Sequence, residues 1–138
     1  MAQLQAYIIM FLTSGFLYCG IEILARGYSH ISMLLAGGTC FLLVGAIEYI
    51  TGSSASFLLQ MLLCGIMITT VELLFGLVVN RQLHLNVWDY SGLQYNFQGQ
   101  ICLLYSIFWF LLSAPVILLH DYMKFLLLDI QVPHYHIF

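Results

Sequence analysis

Three glutamates stand where a carboxylate is expensive. Glu22, Glu48 and Glu72 each fall inside a long apolar stretch, and an ionised acid at the centre of a bilayer costs about 2.5 to 3.5 kcal/mol on insertion scales. Such an acid ties helices together through hydrogen bonds, ends near enough to the interface to reach water, or serves a path for a proton, an ion or a polar substrate. Glu22 precedes Arg26 by four residues, the order and spacing an ion pair on one helical face prefers. A carboxylate beside arginine stays ionised, whereas one left alone in an apolar cavity tends to hold a proton and can pass it on.

Other chemistries find less support. Cys19, Cys40, Cys64 and Cys102 are scattered singly, without the close pairing of a zinc or redox motif, and read as buried apolar thiols. His134 and His136 flank Tyr135, but two histidines with no carboxylate or thiol cluster read as an interfacial tail rather than a metal site. His84, Asp89 and Ser91 lie in order, yet the glycine-flanked nucleophile turn of hydrolases is absent. No Gly-rich phosphate loop ending in Lys-Ser or Lys-Thr occurs, so this chain is not expected to hydrolyse ATP. No catalytic residue, metal or cofactor is assigned.

The elements that must position these acids follow from composition. Of 138 residues, 62% are hydrophobic and 7% charged, against about a quarter charged in a soluble domain. A mean hydropathy of +0.99 leaves too little polar surface for water, so the expected solvent is lipid. Six acids against three bases give a net charge of −3, and with no basic patch nucleic acid is excluded as a partner. Met1 to Gln5 lacks Lys and Arg, so the first apolar stretch is read as retained and not as a cleaved leader.

About 20 apolar residues cross a hydrocarbon core of about 30 Å. Four stretches reach that length: about 4–24, 33–51, 57–79 and 101–119. The expected fold is an all-α integral membrane four-helix bundle, a single transmembrane domain over 1–138. Residues 25–32 and 52–56 are short connections, making successive spans antiparallel neighbours. The third connection, 80–100, is long and mixes Arg81, His84, Asp89 and amides with Trp88, Tyr90, Tyr95 and Phe97. Such a mixture suits the headgroup region and is expected to cap one end of the bundle. His120 to Ile130 carries Asp121, Lys124 and Asp129 among apolar residues, which predicts a short interfacial C-terminal helix within a tail over 120–138.

Alternating spans bring the first and third connections to one side, gathering Glu22, Arg26, His30, Glu72, Arg81, His84 and Asp89 there. The opposite end is expected to hold little beyond Glu48 and the tail. Gly37, Gly38, Gly45, Gly65 and Gly76 lie inside spans, where glycine lets helices approach closely. Beyond a loose likeness between two hairpins, each with a Glu ahead of an Arg-containing connection, no internal repeat is found.

The stretch from Val71-Glu72 through Trp88-Asp89-Tyr90-Ser91 to Asn96-Phe97-Gln98-Gly99 and Ile101-Cys102-Leu103 resembles the Putative ABC-transporter type IV family of bacterial multi-pass membrane proteins. There a Glu-bearing helix leads to a Trp-Asp-Tyr-Ser segment and an Asn-x-x-Gly turn that opens the next helix. Gly20, Glu22 and Arg26-Gly27 are similar to its Glu and Arg-Gly pair. The resemblance implies a short, divergent, permease-like member of the bacterial cytoplasmic membrane. It also implies an acid where this chain has Asn80, an Arg where it has Gln100, and a Pro-rich turn where it has Tyr28 to Ser32.

Trp88, Tyr90, Ser91, Asn96 and Gly99 are the expected loop cap, with Asp89 accepting from turn amides or pairing with Arg26 or Arg81. The leading functional expectation is a transporter-like or channel-like subunit whose polar cavity is lined by Glu22 and Glu72, with Arg26, Arg81 and Asp89, and with Glu48 as a further path residue. One alternative is an assembly or interaction protein whose polar cluster only locks the bundle; another is an intramembrane enzyme acting on lipid headgroups. Four small spans imply a homo-oligomer or a partner membrane protein, or a separate ATP-binding subunit. Arg26 and Arg81 on one side against Lys124 on the other favour cytoplasmic polar connections. So slight a bias also permits mixed insertion, and a single orientation is expected because the capped loop makes the two ends unlike.

Overall fold

The apolar runs carry hydrophobic side chains on every side rather than in one stripe, the pattern of a helix with protein on one flank and lipid on the other. A computed structural model describes residues 2–52 and 55–137. Within these, four helices are long and apolar enough to cross a membrane. Helix α1 spans Ala2–Arg26, α2 Ile31–Thr51, α3 Phe57–Gly76 and α4 Leu103–Leu128. Helix α1 packs on α2 and α3 on α4, and α2 joins the two hairpins. Large apolar side chains such as Leu4, Phe16, Leu24, Ile50 and Leu104 stand exposed around the outside. A soluble monomer does not present an apolar belt of that kind; the chain is an integral membrane protein.

Each helix boundary has a local cause. Gly27, at φ 84°, closes α1 by donating its N–H to the Ile23 carbonyl at 2.9 Å. His30 Nδ1 accepts from the Ser32 amide at 3.2 Å and opens α2. Ser56 Oγ accepts from the Leu59 amide at 3.3 Å and opens α3. Past Gly76 the chain continues as a π-helical turn, Leu77–Gln82, before it leaves the helix. A hairpin of two short strands, β1 Asn96–Phe97 and β2 Ile101–Cys102, then feeds directly into α4.

The short separate C-terminal helix expected from the sequence is instead the last turns of α4, which runs unbroken to Leu128. Asp121 and Lys124 signalled an interface, but both find partners within the bundle. Asp121 is 2% exposed, and Lys124 Nζ lies 2.7 Å from Glu48 Oε2. Asp129 in the left-handed conformation ends the helix. The tail beyond it folds back: the Phe57 amide donates to the His136 carbonyl at 2.7 Å, and the Tyr135 and Phe57 rings meet edge to face at 4.9 Å. Ser53, in the second connection, lies outside the described residues.

Close packing depends on missing side chains. A Cβ on Gly65 would stand 2.9 Å from Phe110 Cα, where α3 crosses α4, and one on Gly15 would stand 2.6 Å from the Leu34 carbonyl oxygen. Backbone cannot step aside as a rotamer can. Gly65→Leu is therefore expected to destabilise the detergent-solubilised protein by about 1–3 kcal/mol, whereas Gly20→Leu, with nothing near its Cβ, stays within about 0.5 kcal/mol. Thermal unfolding of the two variants checks this, and equal midpoints would contradict it.

Candidate functional site

The π-turn at the end of α3 is where the site begins. A single π-turn shifts the register of the side chains that follow, and here Val79 and Asn80 come to lie buried while Arg81 and Gln82 face out. Asn80 then organises the third connection. Its Oδ1 accepts from the Val87 amide at 2.7 Å, and its Nδ2 donates to the Trp88 carbonyl and to Gln100 Oε1, both at 2.9 Å. Trp88, 8% exposed, packs with Met33, Ala36, Val79 and Val87, and its indole N–H donates to the Gln100 carbonyl at 2.9 Å. The indole is thus a plug inside the bundle, where an anchor in the headgroup layer had been expected, because both its apolar body and its N–H are satisfied by protein. Among the cap aromatics, Tyr95 and Phe97 are the exposed ones.

Beneath this cap sits Glu72, 8% exposed. Its two oxygens accept from the Tyr90 hydroxyl and from the Trp109 indole N–H, each at 2.8 Å. The Tyr90 ring stacks on Tyr105 at 4.6 Å. Burial and the nearby carboxylate push the Tyr90 phenol well above its usual range, so it remains a donor. Glu72 therefore has two neutral donors, and no cation pairs with it among the described residues. It stands on the wall of a cavity of about 270 Å³ between the helices, with Ser14, Tyr18, Cys40, Trp109 and Pro115. The walls are overwhelmingly apolar, so the polar cavity expected from the sequence narrows to one carboxylate in an apolar chamber. Pro115 lacks the N–H that would reach the Leu111 carbonyl, which leaves a break in the helical ladder at the cavity wall.

The remaining sequence candidates divide. Glu22 pairs with Arg26 at 2.7 Å and accepts from the Ser29 hydroxyl at 2.5 Å, and Arg26 also donates to the Val87 carbonyl at 2.9 Å, joining the first connection to the cap. The Arg26 guanidinium lies over the Tyr28 ring at 4.6 Å. Arg81 reaches out to Gln98 on the surface. Asp89 pairs with neither arginine; it accepts from the Ser91 amide at 2.8 Å and hydroxyl at 2.9 Å. Asn96 bridges the Leu93 carbonyl and the Gly99 amide. Glu48 lies at the far end with Lys124 and His120. That end is more polar than expected, because His120, Asp121, Lys124 and Tyr135 converge there. Tyr18 and Trp109 went unnoticed in the sequence; the signal was an indole inside a span, whose N–H must find an acceptor.

The chain matches, over residues 5–137, the family described as Putative ABC-transporter type IV. It belongs to that family. No curated protein matches, and no solved structure does. For this member of the ABC-transporter type IV family, two positions at which the resemblance implies a charge touch each other as neutral amides: Asn80, where it implies an acid, and Gln100, where it implies an arginine.

That contact gives a prediction. Asn80→Asp or Gln100→Arg alone places an unpaired charge beneath the cap and is expected to cost about 1–3 kcal/mol, with the double variant recovering most of the loss. Unfolding monitored by tryptophan fluorescence measures the cycle, and additive losses would show that the two positions act separately.

Asp89 yields a second. The Ser91 amide, then its hydroxyl, holds the Asp89 carboxyl below the ordinary aspartate range. Its contribution is therefore complete above about pH 3.9 and is lost as the pH falls through the depressed value. Hydrogen exchange at the Ser91 amide, corrected for the intrinsic rate, should lose protection only below that range. Asp89→Asn should remove the acid step, and loss of protection above pH 5 would refute the assignment.

Proposed function

We propose that this protein is the membrane-spanning, permease-like subunit of a transport system of the bacterial cytoplasmic membrane, and that the cavity under the cap is its cargo site. The observation that carries the reading is Glu72: a buried carboxylate on the wall of an apolar cavity, held by two neutral donors with no counter-cation among the described residues. Such a site favours an apolar body bearing one positive charge, or a proton moving in exchange for it. Glu22 and Arg26 neutralise each other, and act by fastening the cap whose Tyr90 hydroxyl holds Glu72. The chain has no phosphate-binding loop, so the family relation supports a separate ATP-binding subunit as energy source. Four small spans enclosing a path favour assembly with a second copy or another membrane protein.

A second reading is favoured by a different observation. Glu72, Asn80, Arg26 and Glu22 all make hydrogen bonds within the chain, as they would in an assembly protein whose polar cluster locks the bundle.

Liposome flux of a lipophilic amine separates the two. Glu72→Gln keeps an acceptor for one of the two donors and removes the charge, and is expected to lower flux at least tenfold while the unfolding midpoint shifts by a few degrees. Unchanged flux in a folded variant would sink the cargo assignment in favour of the assembly reading. If the native chain alone carries nothing, its co-purified partners decide. Restoration of Glu72-dependent flux by an ATP-binding partner supports the proposal, and a partner with no transport activity overturns it.

A further inference from the structure

At the end of the bundle opposite the cap lies a second polar group that the cargo site does not use. Glu48 enters it from α2, and His120, Asp121 and Lys124 enter from α4. His120 and Asp121 are each 2% exposed. His120 Nδ1 is 3.3 Å from Asp121 Oδ1 and 3.8 Å from Glu48 Oε2. One donor atom from each of Glu48, His120 and Asp121 lies within 4.8 Å of the others. A tetrahedral ion with bonds of about 2.1 Å holds its donors about 3.4 Å apart, so the observed spacings already approach those of a coordination shell. Gly45 makes room for the ring: a Cβ there would stand 2.9 Å from His120 Nε2.

Lys124 explains how two acids persist there without an ion. Its Nζ lies 2.7 Å from Glu48 Oε2 and 3.9 Å from Asp121 Oδ1, a tethered cation between the two carboxylates. Glu48, His120 and Lys124 line a cavity of about 510 Å³, far more polar than the first, to which Gln60, His134 and Tyr135 also contribute. Gln60, 6% exposed, brings an amide to the same cavity. The tail lies over the group, with the Tyr135 hydroxyl donating to Asp121 Oδ2 and the His136 carbonyl accepting from the first amide of α3. The Gln60 amide, the His120 imidazole and the Glu48 carboxylate line this chamber, and the Asp121 carboxylate lies 3.3 Å from His120 Nδ1.

We propose that Glu48, His120 and Asp121 form a binding site for a divalent transition-metal ion of the zinc type, whose place the Lys124 ammonium holds when no metal is bound. One imidazole nitrogen with two carboxylate oxygens suits zinc and its neighbours. Calcium and magnesium prefer six or more oxygens or retained water. Gln60 and His134 are the further donors that the cavity offers. Metal entry displaces Lys124 from Glu48 and joins α2 to α4 through the ion. The site is separate from the Glu72 cavity and stands or falls without it.

The test is zinc titration of the purified full-length chain in detergent, with metal analysis for stoichiometry and a chelator dye as competitor. One zinc per chain is expected. His120→Ala and Glu48→Gln should each weaken binding at least tenfold, and Lys124→Met should tighten it at least tenfold because no ammonium competes. The opposite sign of the lysine variant guards against misfolding: a purely structural ion-pair network predicts that Lys124→Met loses stability and gains no affinity for zinc. Zinc should also slow proteolysis of the tail. Absence of stoichiometric zinc in both the native chain and Lys124→Met would overturn the proposal. So would native-like binding in His120→Ala or Glu48→Gln, and so would binding that disappears only when His134 and His136 are both replaced.

Discussion

In the hydrocarbon core a polar group has no water to turn to, and each one kept there must be satisfied by the chain itself. Glu72 illustrates how much follows from this. Its two oxygens require two donors, and the chain supplies them from separate places: Tyr90 in the third connection and Trp109 in the middle of α4. To bring Tyr90 inward, the connection must fold back over the end of the bundle. The fold-back is in turn held by Asn80, which the π-turn carries to the inside. The cap and the register of the last turn of α3 are thus tied to one carboxylate at depth. Its hydrogen-bond partners are neutral, and no cation pairs with it among the described residues.

The two ends of the bundle solve the same constraint differently. At the capped end the network is largely made of amides, indole and backbone, with one charged pair, Glu22 and Arg26, near the outer edge. At the other end, charge meets charge directly, with Lys124 between Glu48 and Asp121 and His120 alongside. An ion pair removed from water gains little net stability, because desolvation offsets attraction. The polar group under the tail therefore adds little net stability over an apolar one.

Cap and tail play corresponding parts. Both are irregular segments drawn inward by hydrogen bonds to buried side chains, and the tail also lines a chamber. Irregular backbone at membrane depth is tolerated where protein encloses it, and the Phe57–Tyr135 and Tyr90–Tyr105 ring contacts provide that enclosure. Glycines set the helices close enough for the rest: Gly45 admits His120, and Gly76 admits Gln100 and Trp88.

The membrane architecture was legible in the residues because it depends on quantities that add along the chain. Span length, charge scarcity and the short second connection required four helices whatever their packing, and the alternation of direction placed Arg26 and the third connection at one end, where Arg26 meets Val87. The residues resembling the ABC-transporter type IV pattern likewise lay in order along the sequence, and the family match covers them. What an acid touches is a different kind of quantity. Whether Asp89 pairs with an arginine or with Ser91, whether Trp88 faces lipid or protein, and whether Asp121 and Lys124 mark a surface or a buried group depend on helix rotation, on a one-residue π-shift and on where the tail returns. A helix apolar on every side gives no periodic signal to fix its rotation. Only the packed structure, in which each buried donor must find its acceptor, decides among those arrangements.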